Sequence, residues 1–424
     1  MNFNEQQIKA IKSKEPNIFV ISTAGSGKTS TLIGAIKEFK IQNPNSSVAA
    51  ITFTNKAADE LKTRLNDNSV HISTIHSWSL NKLKYLGELY SFRVQLLKEE
   101  KIKEILKKLC RDLNYYYINV NQLHFFMMGN QNMDLSAKVK GIFIAVKEAY
   151  TNFKRANQLY DFTDLPLYLY DMLIQNNHRI TDIDGIFVDE FQDIDQEQSD
   201  VFELVDAKKK FLIGDPAQCI YLFRGAIGLH EKTYKNFTTY RLNKNYRSYQ
   251  EIINYAESFK NRSTNNALPL FGGKCEESDI ICDRGRGGQV WLSSWDDVSY
   301  PDNYALNMSS KDEEGDVIIK KNMDLIYEFL KDRDTQILCR SNKQVKKFLS
   351  LGVINVSTVH QAKGLEYNNV IIVDFDSTNV EEKNIAYVAM TRAKNKMWII
   401  DYNLLYNLFF NVPKNLIQSS TSLF

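Results

Sequence analysis

The sequence predicts an α/β fold of parallel sheets covered on both faces by helices, with an all-helical insertion in its first part. Three observations carry this. Short β-rich runs alternate with helical stretches, as in chained βαβ units. The 424-residue chain is too long for one average domain, and two or three are expected at about 150 residues each. Between Leu80 and Arg155 strand signals fade, and Lys82 to Leu113 carries apolar residues at helical spacing amid Lys and Glu.

In chain order, strands are expected at Ile18–Ile21, Val48–Phe53, Val70–Thr74, Ile186–Val188, Phe211–Ile213 and Tyr240–Leu242. A second set is expected at Val290–Leu292, Gln336–Cys339, Val370–Val373 and Met397–Ile400. Asn261–Gly288 is rich in Asn, Ser, Gly and charge and reads as loop or linker. Tyr115–Tyr117 and Phe125–Phe126 are expected in the core of the helical insertion, and Lys208–Lys210 and Lys346–Lys347 on solvated faces.

Composition narrows the function classes. Hydrophobic residues at 43% can bury a substantial core, which argues against disorder. Lys plus Arg total 53 and Asp plus Glu 51, so a polyanion must be met by a local groove rather than by a basic coat. No apolar run approaches the roughly 18 residues that cross a bilayer, and Met1–Lys14 lacks the apolar stretch of a secretion signal. Five scattered cysteines without a C-x-x-C pair fit buried thiols in a reducing compartment better than zinc or disulfides. A soluble cytoplasmic protein without a membrane partner is expected.

The strand Ile18–Ile21 runs into Ser22-Thr23-Ala24-Gly25-Ser26-Gly27-Lys28-Thr29 and then a helical pattern from Leu32. A strand, a glycine-bearing loop and a helix start are what a triphosphate needs. The backbone N–H groups of Ala24, Gly25, Ser26 and Gly27 can face the phosphates, and the helix N-terminus adds its positive end. Lys28 would reach the terminal phosphates, and the Thr29 hydroxyl would hold Mg²⁺. The motif's first Gly is here Ser22. Downstream, the apolar strand Ile186–Val188 ends in Asp189-Glu190. Asp189 is placed to hold Mg²⁺ through water, and Glu190 to polarise the attacking water as a general base.

The residues after that pair point to a family. Asp189-Glu190-Phe191-Gln192-Asp193 resembles the D-E-x-Q-D box of superfamily 1 helicases of the UvrD/Rep type, and Gly214 to Ala226 resembles their G-D-x-x-Q-x-I-Y-x-F-R-G-A box. Further similar boxes follow the family's order. They are Asn4 with Gln7, Thr52–Ala58, Ser73–Ser77, Asp161–Leu165, Asn245–Ser248, His360–Tyr367 and Tyr387–Lys394. They span residues 4 to 394, nearly the whole chain.

The resemblance implies two RecA-like motor domains with ATP in the cleft between them and single-stranded DNA across their tops. The first would comprise residues 1–79 and 156–250, the helical insertion 80–155, and the second motor domain 251–424. By the same resemblance, Arg392 is the arginine finger, Arg247 a second cation on the γ-phosphate, and Gln218 the phosphate sensor. Glu366 would bind the ribose, Gln7 would read the adenine edge, and Tyr246 would stack on its face. The family's second stacking residue, an Arg after the phosphate loop, is here Ser30. Phe53, Tyr221 and Phe223 match positions near the bases. Thr54, Asn55, His76, Ser77, Arg224, Thr358 and His360 match positions near the strand. The other reading of Phe53 and Phe223 is core packing, and of His76 and His360 a structural histidine. Asp161 and Asp164 are assigned no chemistry.

Larger relatives carry an accessory subdomain just before the His360 box. Here the helical stretch Asn342–Leu351 runs almost directly into Gly352–Ser357, which leaves no room for one. Any cutting of the strand is expected to need another protein. The expected function is an ATP-dependent translocase or helicase moving 3′ to 5′ on single-stranded or single-strand-tailed DNA. A regulatory or motor subunit of a nuclease-containing complex is the alternative. A nucleotide switch without hydrolysis fits poorly, because Lys28, Asp189, Glu190, Gln218, Arg247 and Arg392 occur together.

Overall fold

Two sheets organise the chain. The computed structural model describes residues 2–127, 135–221, 226, 236–261, 279–293, 307–311, 317–321, 334–373 and 380–400. The first part runs α1 (Glu5–Ile11), β1 (Asn17–Ser22), α2 (Lys28–Gln42), β2 (Val48–Thr52), α3 (Asn55–Leu65), β3 (Val70–Thr74) and α4 (Ile75–Tyr90). Next come α5 (Glu99–Asp112), α6 (Val120–Met127), α7 (Ala137–Ala156) and α8 (Leu165–Gln175), then β4 (Gly185–Val188), α9 (Gln196–Glu203), β5 (Lys209–Gly214) and β6 (Thr238–Leu242).

The six strands form one parallel sheet in the order β3-β2-β4-β5-β1-β6. Successive strand residues go to opposite faces. Phe19, Ile51 and Val188 pack beneath α4, α8 and α9 with Trp78, Leu169 and Val201. Ile18, Val20, Ala50, Phe187 and Phe211 pack beneath α1, α2 and α3 with Ala10, Leu32 and Leu61. Burial on both faces explains why Val48–Ile51 of β2 and all of β4 lack alternating polar residues.

The helical stretch has its own core of Ile102, Leu106, Leu123, Phe126, Phe143 and Val146. It begins later than residue 80. Helix α4 crosses that position, and Leu83 and Leu86 still pack on the first sheet's cluster. Three aromatics expected inside lie outside: Tyr116 is 72% exposed, Tyr117 65% and Phe125 53%, while the neighbouring Phe126 fills the core. The unit is pinned to the sheet domain through buried Lys154, whose ammonium donates to Asp161 (2.8 Å) and Asp164 (2.6 Å). Tyr150 donates to the same Asp161 carboxylate at 3.0 Å.

The second part holds β7 (Lys244–Asn245), α10 (Gln250–Asn261), β8 (Ile281–Cys282), β9 (Gln289–Ser293), β10 (Asn307–Lys311), β11 (Val317–Lys321) and β12 (Thr335–Cys339). It continues with α11 (Asn342–Ser350), β13 (Val356–Thr358), β14 (Tyr367–Val373), α12 (Val380–Met390) and β15 (Ala393–Ile400). The sheet order is β11-β10-β9-β15-β14-β12-β13. Its strands β9, β15, β14, β12 and β13 are parallel, and β10 and β11 add an antiparallel edge that the sequence did not announce. Residues 351–355 alone join α11 to β13.

Two further expectations change. The described part of the presumed linker, 279–288, is structured: β8 pairs with β7, and Ile280 and Cys282 are buried against Ile253. Among the three consecutive lysines only Lys208 is solvated. Lys209 is buried, its ammonium donating to the carbonyls of Ser13 and Glu15 at 2.7 Å, and burial lowers it to about 8. Its long stem lets β5 start inside the core while the charge reaches backbone acceptors. Cys110, Cys219, Cys282 and Cys339 are buried thiols, and among the described residues no group of three or more His, Cys, Asp or Glu side chains could hold a metal. No helix among them is long and apolar enough to cross a membrane.

Candidate nucleotide and nucleic-acid site

Because all six strands of the first sheet run the same way, their carboxyl ends share one edge, where ligands of open α/β sheets bind. β1 delivers Ala24–Thr29 there, β2 Phe53–Asn55, β3 His76 and Ser77, β4 Asp189 and Glu190, β5 Gln218, and β6 Tyr246 and Arg247.

The phosphate loop is held by its neighbours. Gly25 and Gly27 have φ of 68° and 79°, a region that costs little only without a Cβ. A Cβ on Gly25 would lie 2.6 Å from Asn245 Nδ2, and one on Gly27 would lie 2.9 Å from Gln7 Nε2. Asn245 Nδ2 donates to the Ala24 carbonyl at 2.6 Å, and Gln7 Nε2 to that of Ser26 at 3.1 Å. Gln7 also accepts from the Asn4 backbone N–H in a capping box, which leaves one amide hydrogen and one lone pair for a base edge. The Tyr246 hydroxyl accepts from Asn4 Nδ2 at 2.7 Å, and its ring is 38% exposed beside the loop.

Behind the loop lie the carboxylates. Thr29 donates to Asp189 at 3.0 Å, and Lys28 Nζ stands 3.9 Å from Glu190. Burial, with Glu190 next to it, raises Asp189 to about 6. Burial acts the same way on Glu190, but Lys28 and Lys363 outweigh it and hold that group at about 2. Glu190 has φ 51°, uncommon for a residue with a side chain. A hydroxyl and a carboxylate in contact are hard oxygen donors of the kind Mg²⁺ takes, and a cation there would favour the ionised form that burial disfavours. Thr29 and Asp189 therefore fit the ion.

The second sheet reaches the same place. Arg392, 1% exposed, donates to Val388 O (3.0 Å), Leu365 O (3.1 Å) and, across the cleft, Gln218 Oε1 (3.1 Å). Burial and then Arg247 lower its guanidinium to about 9, so it stays charged at neutral pH. Gln218 Nε2 donates to Asp215 at 2.7 Å. Arg247 donates to Glu366 (2.9 Å) and Thr391 O (3.0 Å), and Lys394 also pairs with Glu366. Glu366 thus lies between two cations, one of them the residue expected at the γ-phosphate.

Along the edge beyond the nucleotide pocket, rings gather. Phe53 stacks on Tyr221 with centroids 4.9 Å apart, and His360 from the second sheet lies 6.0 Å from Tyr221. Phe53 is half-buried on the surface and outside the core clusters. His76, whose imidazole burial shifts below its ordinary value, stacks on Phe162 at 5.5 Å. Thr54, Asn55 and Ser77 are exposed beside them, Thr54 capping α3. Thr358 requires a correction. It is 2% exposed, and its hydroxyl meets Gln361 Oε1 at 3.1 Å, so it shapes the turn before His360 instead of facing a strand. Phe223 and Arg224 lie outside the described residues.

Three residues without an assigned role stand out. Phe162 is 57% exposed at the tip of a turn capped by Asp161 and Asp164, and a large ring between two acids was its signal. Lys363 forms an ion pair with Asp193, donates to Gln218 O at 3.0 Å and lies 4.9 Å over the Tyr221 ring. Arg64 donates to Ser30 at 2.7 Å, putting a guanidinium beside the position where the sequence lacks one. Nothing local marks that contact.

Models of known families match both parts of the chain. The UvrD/REP helicase N-terminal domain matches residues 3–239, and the UvrD-like helicase C-terminal domain matches 346–403. A probable DNA helicase II homolog of Mycoplasma capricolum is 28% identical over 381 residues, covering 81% of this chain and 50% of that protein. A probable DNA helicase of Mycoplasma pneumoniae is 26% identical, covering 95% and 84%. Gabija protein GajB of Bacillus cereus is 25% identical, covering 95% and 98%. The chain spans about half the length of the Mycoplasma capricolum relative and of an ATP-dependent DNA helicase Rep from Buchnera aphidicola. With one family model covering more than half of its residues and the companion C-terminal domain matching 346–403, this chain belongs to the UvrD/REP helicase family.

Proposed function

We propose that this chain is an ATP-driven motor on single-stranded DNA that moves 3′ to 5′ and hydrolyses ATP between its two sheets. The observation that carries the reading is Arg392 of the second sheet bonded to Gln218 of the first, in the same buried group as Glu190 and Lys28. Hydrolysing a phosphoanhydride requires cations on the transferring group, and a cation from the opposite lobe makes hydrolysis depend on cleft closure.

In this reading Lys28 and Arg247 bind the terminal phosphates, Gln218 senses them, and Glu190 orients water. Gln7 and Tyr246 hold adenine, Arg64 supplies the second cationic face beside Ser30, and Glu366 meets the ribose. Mg²⁺ held by Thr29 and Asp189 would neutralise phosphate charge. Phe53, Tyr221, His76, Phe162 and His360 grip bases by their faces, which is why no target sequence is implied.

A second reading, a motor or regulatory subunit acting with a nuclease, is favoured by the direct join of α11 to β13, which leaves no accessory unit there. The match to Gabija protein GajB covers 95% of this chain and 98% of that protein, so the two are of similar extent. Partial duplexes with a 3′ or a 5′ tail test both readings. Wild-type protein is expected to separate only the 3′-tailed duplex and to hydrolyse ATP faster with single strands, while Glu190→Gln binds both ligands without turnover. DNA-independent hydrolysis, or preference for the 5′ tail, would refute the leading reading. Activity seen only with an added nuclease would favour the second.

A further inference from the structure

Ser22 stands where the phosphate-loop motif has its first glycine, and the structure gives its side chain a partner. Ser22 ends β1, is 1% exposed, and donates from Oγ to the carbonyl of Gly214 at 2.8 Å. Gly214 ends the adjacent strand β5. The next residue, Asp215, donates its N–H to Gln192 Oε1 at 2.9 Å, and Gln192 Nε2 donates to Glu190 at 2.5 Å. Asp215 also accepts from Gln218 Nε2, and Gln218 accepts from Arg392. Tyr221 follows three residues after Gln218. On the other side of the loop, Thr23 reaches the Leu242 carbonyl of β6 with both its hydroxyl (3.2 Å) and its backbone N–H (3.1 Å).

We propose that Ser22 is a positioning residue that transmits strand binding to hydrolysis. Its hydroxyl links the phosphate loop to a hydrogen-bonded chain through β5 to Gln192 and Glu190, and to Gln218 and the Tyr221 segment. A shift at the ring-stacking face then reaches the phosphates as a rigid displacement. A glycine at this position has no hydroxyl with which to reach the Gly214 carbonyl of β5. Thr23 is the internal contrast, because its N–H keeps the Leu242 contact when the hydroxyl is removed.

The inference rests on the motor reading above. The experiment measures steady-state ATP turnover of wild type, Ser22→Ala and Thr23→Ala with and without a thymidine oligonucleotide, together with melting temperatures. Ser22→Ala is expected to lower the ratio of DNA-stimulated to basal kcat about fivefold, the rate equivalent of one ordinary hydrogen bond. Its KM for ATP should stay near wild type, since the loop's N–H groups and Lys28 are untouched. Thr23→Ala should keep the wild-type ratio. An unchanged ratio in Ser22→Ala overturns the proposal, as does an equal loss of basal and stimulated turnover in step with melting temperature. Wild-type protein that DNA does not stimulate at all removes the motor reading itself, and the inference with it.

Discussion

Asp189 and Glu190 are neighbours in sequence, yet the fold drives them in opposite directions. Asp189 faces Thr29 with burial dominating and rises to about 6, whereas Glu190 faces Lys28 and Lys363 and falls to about 2. A carboxylate held that low is a poor proton acceptor. In the proposed motor Glu190 would therefore act first by orienting water, gaining basicity if Lys28 turns to a phosphate. Asp189 has the reverse dependence. Its folded value lies above the unfolded one, so the folded protein holds that proton more tightly, and its contribution to stability is lost as pH rises through about 6. Asp189→Asn should raise apo stability at pH 8 by on the order of 2 kcal/mol while removing Mg²⁺-dependent turnover. In wild type, turnover should fall as pH drops below about 6, and the midpoint should move lower as Mg²⁺ is raised. Thermal melts and pH–rate profiles at two Mg²⁺ concentrations check this, and a midpoint indifferent to Mg²⁺ would remove Asp189 from the cation site.

Strand ends and short turns carry the chemistry at the next scale. Parallel pairing collects six loops on one edge, and three single 3-10 turns at Phe162–Asp164, Phe191–Asp193 and Pro216–Gln218 aim Phe162, Gln192 and Gln218. The ring pairs Phe53–Tyr221 and His76–Phe162 follow from that edge. Replacing Phe53 or Phe162 with Ala should weaken single-strand binding by about 1–3 kcal/mol. The dependence of affinity on salt should stay as in wild type, because stacking neutralises no phosphate. Fluorescence anisotropy with a labelled oligonucleotide across a salt series measures both. A flatter salt dependence with unchanged low-salt affinity would contradict the stacking role.

At the scale of the molecule, the lobes meet through apolar packing laced with charge. Ala24 and Ile220 from the first part lie in the second sheet's core cluster, and Asn384 donates to Cys219 O at 2.8 Å. Lys363–Asp193 and Arg392–Gln218 cross the same seam. Arg392 is fixed by two carbonyls of its own lobe and reaches Gln218 of the other through Nη2, so in the proposed motor closure of the seam would decide where its charge lies. Arg392→Ala should cut DNA-stimulated turnover by about 10³-fold or more while ATP still binds, measured by single-turnover hydrolysis and nucleotide titration. A variant with normal turnover would separate this arginine from the chemistry.

How much of this was legible beforehand divides by the range of the interactions. Each strand run, the phosphate loop and the carboxylate pair are local patterns, and the sequence by itself determined the parallel α/β plan and most of the residues brought to the edge. Exposure and partnership were decided by the tertiary structure. The turn around Thr358 folds its hydroxyl inward, a capped turn pushes Phe162 out, Lys209 threads through to backbone carbonyls near the N-terminus, and Arg64 meets Ser30 across two helices. The physical reason is common to all four. Burial and the acceptor a long side chain finds depend on segments far away along the chain, whereas periodicity and motif spacing report only neighbours. The opposed titration of Asp189 and Glu190 has the same origin, since Lys28 acts on both and Lys363 on Glu190 from far along the chain.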